Sequence, residues 1–142
     1  MSEENQNQQP ASSATGVKIF LIDDDKFLID MYSLKFTKAG LSVETAFNGT
    51  EALKKLKDGY APDIILLDII MPSMNGLEFL EAMRAAKLAE KAVVIILSNN
   101  QGEGDSEKSK KLGVEGYIIK AMNIPSDVVS QVLNIYKNKK SK

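Results

Sequence analysis

The chain has 142 residues, 44% hydrophobic and 26% charged, with a formal net charge of −1; that is one domain's worth, long enough to bury roughly two-thirds of its surface without staples. It contains no cysteine and no histidine, which excludes disulfide scaffolds, thiolate or imidazole metal sites, cysteine nucleophiles, Ser-His-Asp triads and a histidine phosphodonor of its own. Near-neutral charge argues against a dedicated nucleic-acid binder, no basic-then-apolar leader opens the chain, and the longest aliphatic run, 92–97, is too short to span a bilayer, so a cytoplasmic location is expected.

Residues 1–16 are rich in Asn, Gln and Ser and nearly devoid of apolar side chains. Such a segment cannot offset its ordering entropy, and a disordered tail is expected there, with one domain over 17–142. From residue 17 strands and helices alternate. VKIFLI (17–22) is a short apolar run. A helix follows over 26–40, with Leu28, Met31, Tyr32 and Phe36 on one face and Gly40 as its stop. LSVETA (41–46) reads as a strand and 49–58 as a helix. DIILL (63–67) is a second buried-type run, and 77–87 is helical through Leu77, Leu80 and Met83. AVVIIL (92–97) is a third such run. A weak helix is expected over 105–112, a strand over 114–119, and a helix over 127–138 with Val128, Val129, Val132, Leu133 and Tyr136 as its stripe. The basic end of the chain suits the negative pole of that last helix.

Continuously apolar strands mark a parallel sheet covered on both faces, so the pattern predicts a doubly wound α/β domain of five strands and five helices. Such folds place their site at the carboxyl ends of the strands. After the first strand stand Asp23, Asp24 and Asp25. After the third stands Asp68, after the fourth Ser98, Asn99 and Asn100, and after the fifth Lys120. Two unit charges about 4 Å apart repel by about 4 kcal/mol near a protein surface, so clustered carboxylates call for a cation. Few ligands, all of them oxygen, suit Mg2+ completed by water and a substrate phosphate. Lys120 adds a second positive charge, and a carboxylate so placed can accept a phosphoryl group as an acyl phosphate.

These residues resemble the receiver domain of two-component response regulators over 17–138. LIDDDKF resembles the acidic pair after strand one, with Asp23 and Asp24 in those places. LLDIIMPSMNGLEFL resembles the phosphoacceptor strand and its Met-Pro-x-Met-Asn-Gly loop. IILSN and GYIIK put Ser98 and Tyr117 at the switch positions and Lys120 at the family's lysine. The resemblance implies a flavodoxin-like sheet in the order 2-1-3-4-5. It implies that Asp68 takes a phosphoryl group from a partner histidine kinase or histidine phosphotransfer protein. It further implies that Asp24, Asp68 and the Ile70 carbonyl ligate Mg2+, with Asp23 acting through water, and that Ser98 and Lys120 contact the phosphoryl oxygens. Ser98 and Tyr117 would then reposition and alter the surface of the fourth helix, fifth strand and fifth helix. The chain would be a signalling protein that assists its own phosphorylation, not an enzyme acting on a separate substrate.

The sequence departs from the family in two places. Ala121 follows the lysine where proline is usual, and Asn99 follows the switch hydroxyl where a small residue is usual. A cis bond before a non-proline residue costs about 2.5–4 kcal/mol, so a trans Lys120–Ala121 bond is expected, with Lys120 reaching the site through a rearranged 120–124 loop. No DNA-binding or catalytic output domain follows within the 142 residues, so output through an unidentified downstream protein is expected, without direct nucleic-acid or membrane contact. Two other readings compete. A haloacid dehalogenase-type phosphatase would use Asp23 and Asp25 as its D-x-D pair, but leaves the 68–76 loop without a role. A receiver fold acting only as a docking module leaves the acids, Ser98 and Lys120 without one.

Overall fold

The computed structural model describes residues 16–99 and 103–140, and of residues 103–105 only the backbone. The expected tail, apart from Gly16, and the Asn100 position both lie outside the described residues. Five strands form: β1 (Lys18–Ile22), β2 (Ser42–Ala46), β3 (Ile64–Leu67), β4 (Val93–Ser98) and β5 (Gly116–Ile119). Five helices alternate with them: α1 (Lys26–Lys38), α2 (Gly49–Lys57), α3 (Gly76–Ala85), α4 (Glu103–Lys111) and α5 (Pro125–Lys140). The strands are parallel, as their apolar runs predict, and stand in the order β2-β1-β3-β4-β5 that the resemblance implies. Among the described residues no helix is long and apolar enough to cross a membrane.

Period-two alternation sends the strand side chains to two separate cores. Phe20, Ile22, Ile65, Leu67, Val94 and Ile96 face one side, with Leu53, Phe79 and Met83 from α2 and α3. Ile19, Leu21, Ile64, Leu66, Ile95 and Leu97 face the other, with Ile29, Phe36, Val128 and Val132 from α1 and α5. The buried face of α1 is Ile29, Tyr32 and Phe36, while Leu28 and Met31 flank it half-buried. The stripe expected from Leu28, Met31, Tyr32 and Phe36 is therefore centred one residue too early at its start. Ile29, Tyr32 and Phe36 keep the i, i+3, i+7 spacing that points one way on a helix.

Sequence-coded caps fix where the helices begin, and so where the loops above the sheet end. The Asp25 carboxylate accepts from the Leu28 N–H at 3.2 Å. Asn48 does the same for Glu51 at 2.8 Å. Asn75 and Glu78 form a reciprocal capping box, each side chain accepting from the other's main-chain N–H at 2.9 Å. The helix α4 differs in what it buries. Where a core helix would bury an apolar residue it buries Ser109, whose hydroxyl donates to the Ser106 carbonyl at 2.8 Å. Its C-terminal turn is held from outside, because Arg84 on α3 donates to the Leu112 carbonyl at 2.9 Å and the Gly113 carbonyl at 3.4 Å.

Candidate functional site

Strand register assembles the site. Ile22 pairs with Leu67, Leu67 with Ile96, and Ser98 with Ile119. The residues just past those pairs therefore stand in a row at the carboxyl edge of the sheet: Asp23, Asp68 and Lys120, with Ser98 ending its strand beside them. The first two are pinned through the backbone as well. The Asp23 N–H donates to the Ala46 carbonyl at 3.1 Å, and the Asp68 N–H to the Ile22 carbonyl at 2.9 Å.

Asp23, Asp68 and Ser98 are buried, and Asp24 is exposed. Carboxylate oxygens of Asp23, Asp24 and Asp68 lie within 4.8 Å of one another. The ammonium of Lys120 sits 2.7 Å from an Asp23 oxygen and 3.8 Å from an Asp68 oxygen. The other Asp23 oxygen accepts from the Asp25 N–H at 2.9 Å. Both Asp23 oxygens are thus engaged within the protein, Asp24 is exposed, and the three carboxylates together could hold a cation. An all-oxygen donor set of this size fits Mg2+.

Asp68 is electrostatically strained. Burial, and then the charge of Asp23, push its carboxyl up from 3.8 to about 6, against the opposing pull of Lys120, the Ile69 N–H and the Ser98 hydroxyl that bond to it. A carboxylate held at that cost gains from any positive charge brought to it. Burial and the Asp23 charge also raise the Tyr32 phenol.

Other expected residues fall elsewhere. Ile70, two residues after Asp68, is 63% exposed. Tyr117 lies on β5 half-buried and packs against the core on the α2–α3 face. Asp25 serves as the α1 cap. The Lys120–Ala121 bond is trans, since no cis peptide occurs among the described residues. Lys120 opens a single turn of 3-10 helix, Lys120–Met122. The expected trans bond and reach of the lysine into the site are both present.

Two features escape sequence reading. A Cβ on Gly76 would lie 2.2 Å from the Asp68 carbonyl oxygen and 2.9 Å from Ile69 Cα, and the Gly76 N–H donates to the Ile69 carbonyl at 2.8 Å. Only glycine lets α3 start this close beneath the acid. The Asn75–Glu78 spacing announces the helix start, but nothing local announces the approach. The other is the choice of partner: Lys120 reaches the acids as expected, but its ammonium lies 2.7 Å from Asp23 and 3.8 Å from Asp68.

A family profile described as response regulator receiver domain matches residues 19–132. The nitrate/nitrite response regulator protein NarL of Escherichia coli is 37% identical over 125 residues, 87% of this chain and 53% of that protein. Among solved structures, chemotaxis protein CheY4 of Vibrio cholerae is 28% identical with a TM-score of 0.76, covering 84% of this chain and 98% of that one. The Francisella response regulator 1452 receiver domain is also 28% identical, with a TM-score of 0.75 over 87% of this chain and 99% of that one. The chain spans about half the length, or less, of the curated relatives it matches.

Proposed function

The chain belongs to the response regulator receiver domain family, and on that premise we propose that it accepts a phosphoryl group on Asp68 and signals through its α4–β5–α5 surface. Receiver domains are two-component signalling modules and not classical enzymes. In general they work with histidine kinases or phosphotransfer proteins and hold Mg2+ in an acidic cluster. One observation carries the assignment to Asp68. It is the buried carboxylate at the edge of the central strand, with Lys120 3.8 Å away and oxygens of Asp23 and Asp24 within 4.8 Å.

The donor is a partner's phosphohistidine. An Asp68 carboxylate oxygen forms the new O–P bond as the P–N bond breaks, and that electron pair returns to the imidazole nitrogen. Asp24, Asp68 and the Ile70 main-chain carbonyl would hold Mg2+, with Asp23 acting through water; when bound, the ion would supply positive charge against the phosphoryl oxygens. Lys120 turns from the acids toward a phosphoryl oxygen. The Ser98 hydroxyl gives up its bond to Asp68 and donates to another. Ser98 and Tyr117 then reposition, and the altered face docks a downstream protein.

Acetyl phosphate with Mg2+ should add the mass of one phosphoryl group to the protein. Asp68→Asn should abolish the gain and Asp25→Asn should keep it. Labelling that survives in the Asp68 variant refutes the acceptor assignment. An unlabelled wild type favours the docking module.

A further inference from the structure

Lysine has four rotatable bonds, so the aim of its ammonium depends on how firmly its backbone is held. The Lys120 backbone has little apolar support. Met122 and Ile124, just beyond it, are 70% and 62% exposed. The turn that Lys120 opens is only three residues long, Lys120–Met122, and the Asn123 N–H that closes it lies a long 3.3 Å from the Lys120 carbonyl. Short 3-10 turns of that kind are weak by themselves.

A polar chain supplies what packing does not. The Asn123 carboxamide donates to the Ile119 carbonyl at 2.8 Å, and its oxygen accepts from Gln131 Nε2 at 2.8 Å. Asn123 thereby grips the peptide carbonyls on both sides of Lys120, one with its side chain and one with its main chain. Gln131 sits on α5 beside Val128 and Val132, both fully buried. The Ile119 carbonyl must receive the NH2 end, so the carboxamide's orientation is fixed, and its oxygen is left facing a donor. We propose that Asn123 and Gln131 are positioning residues for Lys120, tying it to the core of α5 and so aiming its ammonium at the acid pair. This rests on the reading of Lys120 as a contact to the incoming phosphoryl group.

The test measures the initial rate of labelling by acetyl phosphate in saturating Mg2+, by intact mass, well below the melting temperature. The variants are Asn123→Ala, Gln131→Leu, Lys120→Ala and the double variant Lys120→Ala/Asn123→Ala. Misplacing a reacting group by an ångström can cost up to about 100-fold, so a drop of about tenfold is expected in Asn123→Ala and a smaller one in Gln131→Leu. In Asn123→Ala and Gln131→Leu, Mg2+ affinity, read from the rise in melting temperature with Mg2+ alone, should stay within about twofold, because neither change removes a charge or a carboxylate from the cluster. In the Lys120→Ala background, Asn123→Ala should slow labelling no further. A full rate in Asn123→Ala and Gln131→Leu, or a loss that persists without Lys120, overturns the positioning role. A wild type that takes no label overturns the phosphoacceptor reading itself, and this inference with it.

Discussion

Asp68→Asn should stabilise the protein when Mg2+ is withheld. The buried carboxylate titrates at about 6 against an ordinary 3.8, chiefly because burial and then Asp23 disfavour its charge. A native pKa above the unfolded one means that the native state binds the proton more tightly. The ionised form therefore costs stability: the cost is full above pH ~6, shrinks as pH falls, and is nearly gone near 4. A shift of about two units corresponds to about 3 kcal/mol, and the open side of the cleft reduces that to about 2. Asparagine removes the charge, still accepts from Ile69 and Ser98, and leaves Lys120 paired with Asp23 at 2.7 Å. At 2–4 °C per kcal/mol for a domain near this size, melting should rise by about 4–8 °C at pH 7.5 in EDTA. The gain should halve by about pH 5. Calorimetry of both proteins across that range is the assay. A variant that melts no higher at pH 7.5, or a gain that does not change with pH, refutes the electrostatic account.

Asp24→Ala should abolish the Mg2+-induced rise in melting temperature while the metal-free protein melts no lower than wild type; an intact Mg2+ response rejects Asp24 as a ligand. Ile70 offers no polar group to position an attacking water, so Ile70→Asn should shorten the acyl-phosphate half-life, and an unchanged decay would place its control elsewhere. Ala121→Pro should be neutral or harmful to stability and should slow labelling, because proline pushes the residue before it out of the helical conformation that Lys120 adopts; a faster or more stable variant contradicts this. Arg84→Ala should speed amide exchange in 106–112 by about tenfold, the worth of a charged hydrogen bond of ~1.5 kcal/mol. Exchange there already as slow as in β3 would mean that α4 does not depend on the clamp.

The sheet was legible because 17–22, 63–67 and 92–97 are apolar without interruption, a pattern with few folded solutions besides a doubly covered parallel sheet. The site was legible because its residues follow those runs directly, and parallel register then aligns the strand ends. The exact face of α1 was harder to read, since Leu28, Ile29 and Met31 are all apolar and periodicity alone does not choose among them. Long-range polar pairing left no local signal at all. Arg84 with the 112–113 carbonyls and Asn123–Gln131 depend on where distant backbones end up. Ser109 as the buried residue of α4 was equally invisible, because a hydroxyl satisfied within its own turn looks like any surface serine.

Gly76 gives the domain a mechanical asymmetry. With the first turn of α3 resting on the Asp68 carbonyl, that helix works as an abutment, and the acid's backbone cannot recede toward it without driving packed atoms together. On the proposed reading, a displacement at Asp68 would therefore pass along the strand edge toward Ser98 and Lys120. There the neighbouring α4 buries a serine among its described side chains, and it is tied to α3 by Arg84 and by the Lys108–Glu81 ion pair at 3.7 Å. With α3 as a fixed frame, a small displacement at the acid would then be delivered to one flank and not dissipated over both.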